Sequence, residues 1–259
     1  MMKPKVFNRG KAFLLAAVVF TGLSFKEART KTTQDPATLR IVFSNKVGAR
    51  DLVLRDSTYE NPFGESYTVT RFRYYVTDIF LGTTGRQERI RHTYFLIDQG
   101  IPASWVAEVK IPAGSYHSLG FLLGVDSLLN VSGAQTGVLD PMRDMFWTWN
   151  SGYVMAKMEG NSPASTQVNQ KFEYHIGGYS GPHKVLQTIR LPFDKVQEFH
   201  GGETCTIYVD ADLNAWWKSV HEFRISEHPV ITTPGLLARE MSENYAHMFH
   251  IDKIVPDSH

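Results

Sequence analysis

A short aromatic stretch, MFWTWNSGYVMAKMEG, spans residues 145–160 and combines two tryptophans with three methionines. Thioether sulfur and imidazole nitrogen are donors soft enough to hold Cu(I). The whole chain offers 10 histidines and a single cysteine, so thiolate sites for structural zinc are disfavoured. The stretch therefore has three interpretations: a plain β core, an aromatic platform for a ligand, or a site where tryptophan and soft donors meet a metal.

Several histidines are candidate ligands because of their sequence context. His117 is predicted to share a strand face with Leu119 at the rim of the core. His175 is predicted to point away from the core-facing Tyr174, and it precedes a glycine pair that would let another chain or a ligand approach closely. His247 and His250 are predicted to share a face near the end of the last helix.

Other site chemistries lack a matching motif. The run DADLN at 210–214 resembles the opening of a calcium loop, but Ala215 and His221 stand where that loop needs glycine and a bidentate carboxylate. No G-x-S-x-G, H-E-x-x-H or phosphate-loop motif occurs, and we predict a protein that is not an enzyme. Four carboxylates are interpreted as turn residues and solvated strand ends: Asp126, Asp140, Asp144 and Glu159.

The elements that must position these residues are mainly strands. Period-two alternation, as in RFRYYVTDIF where Phe72 and Tyr74 face one way, recurs in about nine segments joined by short polar turns. This predicts a mostly β chain, an antiparallel β-sandwich or barrel-like fold with one or two short peripheral helices. The helices are expected in DADLNAWWKSV, capped by Asp210 or Asp212, and in TPGLLAREMSENYAHMF, capped by Thr233.

The net charge and the N-terminal segment indicate which partners and which cellular location to expect. A net charge of +1 does not provide the excess of basic residues that binding to nucleic acid requires. Basic residues followed by the uncharged run AFLLAAVVFTGLSF predict a signal peptide over 1–28, then a linker over 29–37 and a single domain over 38–255. We therefore expect an exported protein of the periplasm or cell surface, with no integral membrane segment in its mature form. Cys205 is predicted to be a buried, inert thiol.

Six spaced motifs carry a family resemblance. They are RFRYYVTDIFL (71–81), GFLLGVDSLLN (120–130), GVLDPMRDMFWTWNSGYVMAKMEG (137–160), FEYHIGG (172–178), VDADLNAWW (209–217) and ENYAHMFHI (243–251). Together they resemble the MbnP family, exported proteins whose characterised members are methanotroph copper-binding proteins related to methanobactin and copper-repressible surface proteins. The resemblance spans roughly residues 38–254 and is nearest to the cysteine-poor form common in Bacteroidetes.

The resemblance implies a mostly antiparallel β fold in which the Trp-x-Trp and Gly-Tyr segment is a scaffold signature, with Trp147 and Trp149 filling the core. In the copper-binding members, Cu(I) is held by histidines together with a kynurenine made from tryptophan, and a diheme cytochrome c peroxidase-like partner is associated with that oxidation. His175 in YHIGG matches a ligand histidine of those members. The resemblance thus implies copper as cargo and His175 as one ligand.

Two departures from the copper-binding members are visible. Cysteines that follow the histidine motif there are absent from HIGGYSGPH, and Glu173 stands where the kynurenine-forming tryptophan would lie. One soft ligand is missing, so copper affinity should be lower, and His117, His183 or His247 are the candidates for a second nitrogen. Two functions remain open: non-enzymatic copper binding or handling, and a metal-free structural or ligand-binding module that uses its aromatics as a glycan or peptide platform.

Overall fold

The computed structural model describes residues 35–133, 135–147 and 152–256, which form fourteen β-strands and three α-helices. In chain order the strands are β1 (Ala37–Val47), β2 (Arg50–Asp51), β3 (Thr58–Glu60), β4 (Ser66–Thr83), β5 (Arg86–Arg89), β6 (Tyr94–Asp98), β7 (Val106–Ile111), β8 (Gly114–Leu123), β9 (Val154–Asn161), β10 (Lys171–Gly177), β11 (Gln187–Phe199), β12 (Thr204–Asp212), β13 (Val230–Ile231) and β14 (Phe249–Pro256). The prediction of a mostly β chain is confirmed.

The strands of the described residues form two sheets. In the first, β1 lies between β12 and β7, with β2 paired near its end and β14 outside β12. The second follows the order β11-β8-β4-β9-β10-β13, and the long strand β4 also pairs with β3, β5 and β6. Most pairings are antiparallel, as predicted, but β1 with β12 and β10 with β13 are parallel, so both sheets are mixed.

The inner faces of the two sheets meet in an aromatic core. The ring centroid of Phe43 on β1 lies 6.1 Å from that of Tyr74 on β4 and 5.8 Å from that of Phe121 on β8. The Tyr74 hydroxyl donates to the Asn45 side-chain oxygen at 3.0 Å, which satisfies a buried polar group between the sheets. Large aromatic side chains supply much of the burial that holds a sandwich together, and this arrangement is a sandwich rather than a barrel.

Three short helices lie beside the sheets: α1 (Ser127–Val131), α2 (Asn214–Trp217) and α3 (Leu236–Tyr245). The N-cap residue of α2 is Leu213, so neither predicted aspartate caps the helix, although the Asp212 carboxylate accepts from the Asn214 amide at 3.0 Å. The helix is also shorter than predicted, because residues 210–212 belong to β12. The second predicted helix begins later than Thr233, because the extended backbone of Gly235 precedes its first turn. Helix α1 was not predicted, since its five residues are too few for a clear helical period. No helix in the described ranges is long and apolar enough to cross a membrane.

The segment before β9 is not a regular strand. Residues 137–147, which we call the strap, form a loop with two 3₁₀ turns, and only an isolated bridge joins Phe146 to Tyr153. The strap is held to the sheet because the hydroxyls of Tyr75 and Tyr153 donate to the carbonyls of Val138 and Leu139 at 3.0 and 2.6 Å. These side-chain bonds replace the ladder that a strand would have made.

Other expectations concern single residues and the chain ends. Trp147 is half-buried and packs against the core, whereas Trp149 lies outside the described residues. Cys205 is buried on β12, as predicted. The described residues from 35 to 256 form one compact unit. The signal peptide over 1–28 and most of the linker over 29–37 lie outside the described residues and stay predictions.

Candidate metal site on the second sheet

The candidate site lies on the outer face of the second sheet, where β9 runs between β4 and β10. Side chains directly opposite one another on paired strands share a face. Two rows of charged or ionisable residues therefore cross the three strands: Arg71, Glu159 and Glu173 in one row, and Arg73, Lys157 and His175 in the other. The alternation in β4 and β10 points their neighbours Phe72 and Tyr174 into the core.

Glu159 joins the two rows. Its carboxylate lies 2.8 Å from His175 Nε2, 3.3 Å from Arg71 Nη1 and 3.9 Å from Lys157 Nζ. The hydrogen bond from His175 holds the pKa of the Glu159 carboxyl below its usual value, against the effect of burial and with help from the charges of Arg71 and Lys157. Glu159 is consequently an ionised acceptor near neutral pH.

The strap covers part of this face through Asp144. Its backbone is left-handed, with φ of 58°, and its carboxylate lies 2.8 Å from Arg71 Nη1 and 3.1 Å from Lys157 Nζ. Lys157 also donates to the Asp144 carbonyl at 2.5 Å, and its side chain is only 3% exposed. A buried ammonium is tolerated only when paired and hydrogen-bonded, and Asp144 provides both kinds of contact.

His175 has one nitrogen engaged. Nε2 is bound to Glu159, while Nδ1 has no hydrogen-bond partner among the residues that the structure describes. An ionised carboxylate can only accept, so the Nε2 that faces it carries a proton. In a neutral imidazole bound in this way, Nδ1 keeps a lone pair. A carboxylate that fixes the tautomer in this way is the usual companion of a metal-binding histidine. The arrangement can present one oriented nitrogen donor.

A tryptophan ring packs against β10 two residues beyond His175. A methyl group at Gly177, two residues after His175 in β10, would stand 2.6 Å from a ring carbon of Trp147. Glycine at this position therefore lets the strap place the indole against the sheet. The tryptophan of the opening motif thus packs against the strand that carries the histidine of the YHIGG motif.

The other three candidate histidines occupy separate places. His117 is exposed on β8, while Leu119 is fully buried. The predicted shared face is wrong, because the His117 ring lies together with the Ser118 hydroxyl against Gly82. His183 is half-buried in the loop after β10, and its Nδ1 is buried without a partner among the described residues.

The C-terminal histidines are both exposed. His247 lies in a 3₁₀ turn after α3. His250 belongs to β14, where its Nε2 is 3.6 Å from Asp210. They do not share a helical face as predicted, because the helix ends at Tyr245 and the chain turns into a strand.

These positions decide what kind of metal site the described residues can form. Within residues 35–133, 135–147 and 152–256, no group of three histidine, cysteine or carboxylate side chains is close enough to hold a metal ion. Arg71 and Lys157 also place two positive charges next to Glu159. The described residues therefore fit an open site with one nitrogen donor, and they do not fit a closed cage of protein ligands.

Comparisons with known proteins agree with the motifs of the sequence. The family model described as MbnP matches residues 36–233, well over half of the chain. The chain belongs to the MbnP family. The solved structure of MbnP from Methylosinus trichosporium is similar over 87% of this chain and 99% of its own, with a TM-score of 0.53 and 13% sequence identity. At that identity the likeness to this MbnP concerns the fold. A comparison with curated protein sequences finds no match.

In this MbnP-family chain the charged partners of His175 were not predicted from the sequence. Asp144 and Glu159 were interpreted as a turn residue and a strand end, yet both contact Lys157. The one sequence feature that pointed to them was alternation. Charged residues occupy alternate positions of two core strands, namely Arg71 and Arg73 in β4, and Lys157 and Glu159 in β9. Their meeting depends on β9 pairing with both β4 and β10, which no local pattern specifies.

Proposed function

We propose that this MbnP-family protein handles copper outside the cytoplasm, with Cu(I) as its cargo and His175 as the ligand that the chain supplies. The observation that carries the proposal is the Glu159 carboxylate 2.8 Å from His175 Nε2, which leaves Nδ1 as the donor. The family resemblance supports the metal, and the basic segment and apolar run ahead of residue 28 support export.

The open character of the site favours handling over storage. One imidazole cannot complete the coordination of copper, so the remaining donors must come with the cargo or from the protein that receives it. Arg71 and Lys157 compensate the charge of Glu159, which limits the attraction for a cation. Modest affinity and rapid exchange are the properties of a protein that passes copper on, and no reacting group of an enzyme is required.

A partner of the diheme cytochrome c peroxidase class is part of the proposal on the family resemblance alone. Glu173 occupies the position of the oxidised tryptophan, so the interaction cannot depend on forming a kynurenine there. Two observations test this partner. We expect a gene for such a protein beside the gene for this one, and we expect the purified partner to be retained on immobilised mature protein. Failure of both would remove the partner from the proposal while leaving copper binding to be judged separately.

The alternative function, a metal-free aromatic platform for a glycan or peptide, needs exposed rings. None of the four described tryptophans is exposed, since Trp216 and Trp217 are fully buried and Trp105 and Trp147 are half-buried. The Trp105 indole also donates to the Asp98 carbonyl at 3.0 Å. The rings therefore serve the core of the described domain, and copper handling is the better supported function.

The experiment is a competitive Cu(I) titration of the mature protein against a chelator under anaerobic conditions. Wild type is expected to bind one equivalent, His175→Ala to lose that binding, and Glu159→Gln to bind about 10- to 100-fold more weakly because the imidazole is no longer oriented. His117→Ala and His247→Ala are matched controls and should bind like wild type. Wild-type binding no tighter than that of His175→Ala would overturn the proposal.

A further inference from the structure

A second feature of the outer face lies away from the His175 rows, where β4, β5, β8 and β11 run side by side. Here an open hollow of about 550 Å³ is lined by side chains that donate hydrogen bonds. These donors include Arg86, Gln87, His117, Ser118 and Arg190. No aspartate or glutamate is among the residues that line it.

The floor of the hollow is the backbone of Gly82. A methyl group there would lie 2.2 Å from Ser118 Oγ and 2.9 Å from His117 Cε1, so both side chains lie directly against the glycine. In the sheet register Gly82 is opposite Gln87 on one side and Ser118 on the other. The absence of a side chain at Gly82 is therefore what keeps this part of the sheet open.

Arg190 is held at one wall of the hollow by an aromatic ring. Its guanidinium carbon lies 5.1 Å from the ring centroid of Phe80, and Arg89 lies 4.9 Å from the same centroid. Phe80 is buried because its ring lies over Gly120, where a methyl group would be only 2.1 Å away. The cation–π contact orients Arg190 without neutralising it.

Unneutralised arginines give the hollow its chemistry. Among the described residues, Arg86 and Arg190 form no ion pair. In contrast, Arg71 and Arg73 in the rows around His175 each have a carboxylate at 2.8 Å. Guanidinium groups match oxyanions through paired hydrogen bonds. The same charges disfavour a copper ion at His117.

We propose that this hollow binds a tetrahedral oxyanion, a phosphate or sulfate group, either free or carried on a saccharide. Arg86 and Arg190 supply the charge, and the Ser118 hydroxyl and Gln87 amide supply neutral donors at its floor and wall. The site is separate from His175, so it does not rest on the proposed copper function.

The test is an NMR titration of the full mature protein with inorganic phosphate, inorganic sulfate and glucose 6-phosphate, at constant ionic strength kept with sodium chloride. Saturable shifts of the Ser118 and Gln87 amides are expected. Arg86→Gln and Arg190→Gln should each weaken binding about tenfold, since each removes a charge-assisted hydrogen bond. The control Arg91→Gln removes the same charge from an exposed arginine that does not line the hollow and should leave affinity unchanged.

The outcomes separate the possibilities. Equal affinity for inorganic phosphate and glucose 6-phosphate identifies the free anion as the ligand, whereas tighter binding of the sugar phosphate identifies a carried group. Shifts that do not saturate, or an equal loss in Arg91→Gln, overturn the proposal. Thermal unfolding of each variant shows that it folds, and the exposed Arg86 gives a readout even if Arg190→Gln is unstable.

Discussion

Replacing Glu159 by glutamine removes the carboxylate that joins His175, Arg71 and Lys157 while keeping the shape of the side chain. A hydrogen bond to a charged group contributes about 1.5–3 kcal/mol. The His175 and Glu159 side chains are 20% and 19% exposed, so this bond keeps most of its value, whereas Arg71 is 37% exposed and its pairing is screened. We expect Glu159→Gln to lower the free energy of unfolding by about 2 kcal/mol near neutral pH.

The pH dependence follows from the direction of the pKa shift. The folded pKa of Glu159 lies below its usual value of 4.5. Its contribution to stability is therefore fully present above pH 4.5 and is lost as the pH falls through the folded pKa. The difference between wild type and Glu159→Gln should be full near neutral pH and should shrink below pH 4.5.

The assay is urea unfolding followed by tryptophan fluorescence at a series of pH values, with Glu243→Gln as the matched control. Glu243 on α3 accepts from His221 at 2.7 Å and has Arg239 beside it, and these side chains are more exposed than Glu159 and His175, at 27%, 31% and 43%. The control should lose less than about 1 kcal/mol. If Glu159→Gln loses no more free energy of unfolding than the control, or if its loss grows below pH 4.5, the carboxylate does not stabilise the fold in this way.

Three further substitutions test the packing that holds the site. Gly177→Ala places a methyl group 2.6 Å from Trp147 and 2.8 Å from a backbone oxygen, and should lower the free energy of unfolding in urea by about 1–3 kcal/mol. The control Gly235→Ala, whose methyl group meets nothing within 4 Å, should leave this free energy nearly unchanged. Asn130→Ala removes the side chain that accepts from the Tyr153 amide at 2.8 Å and should cost about 1–3 kcal/mol; an unchanged midpoint would contradict this. Phe43→Ala should cost about 3–5 kcal/mol in the same assay, and a much smaller loss would mean that the sheets do not meet there.

Alternation along single strands was a reliable guide to the fold. It predicted that Phe72 and Tyr74 face the core and that His175 points away from it, and both are confirmed. It failed at His117, in a part of β8 whose pairing with β11 is irregular and where the His117 ring lies beside the Ser118 hydroxyl against Gly82. Period-two patterns describe regular ladders, and bulges are set by the neighbouring strand.

The partners of His175 could not be predicted, for a related reason. Glu159 lies 16 residues before His175 and meets it because β9 and β10 form an antiparallel pair with a particular register. The burial of Lys157 depends on the strap, whose position follows from tyrosine hydroxyl bonds to two of its carbonyls. Pairwise contacts of this kind are made by tertiary structure, and local sequence carries little information about them.

We propose that His175 presents Nδ1 to copper while Glu159 holds Nε2. NMR of protein with ¹⁵N-labelled histidine tests this arrangement. Long-range proton–nitrogen spectra of the mature protein, recorded before and after one equivalent of Cu(I), report the state of each ring nitrogen separately. We expect a protonated Nε2 in both states and a large shift of Nδ1 on copper addition. An unchanged His175 ring, or a shift confined to Nε2, would contradict it.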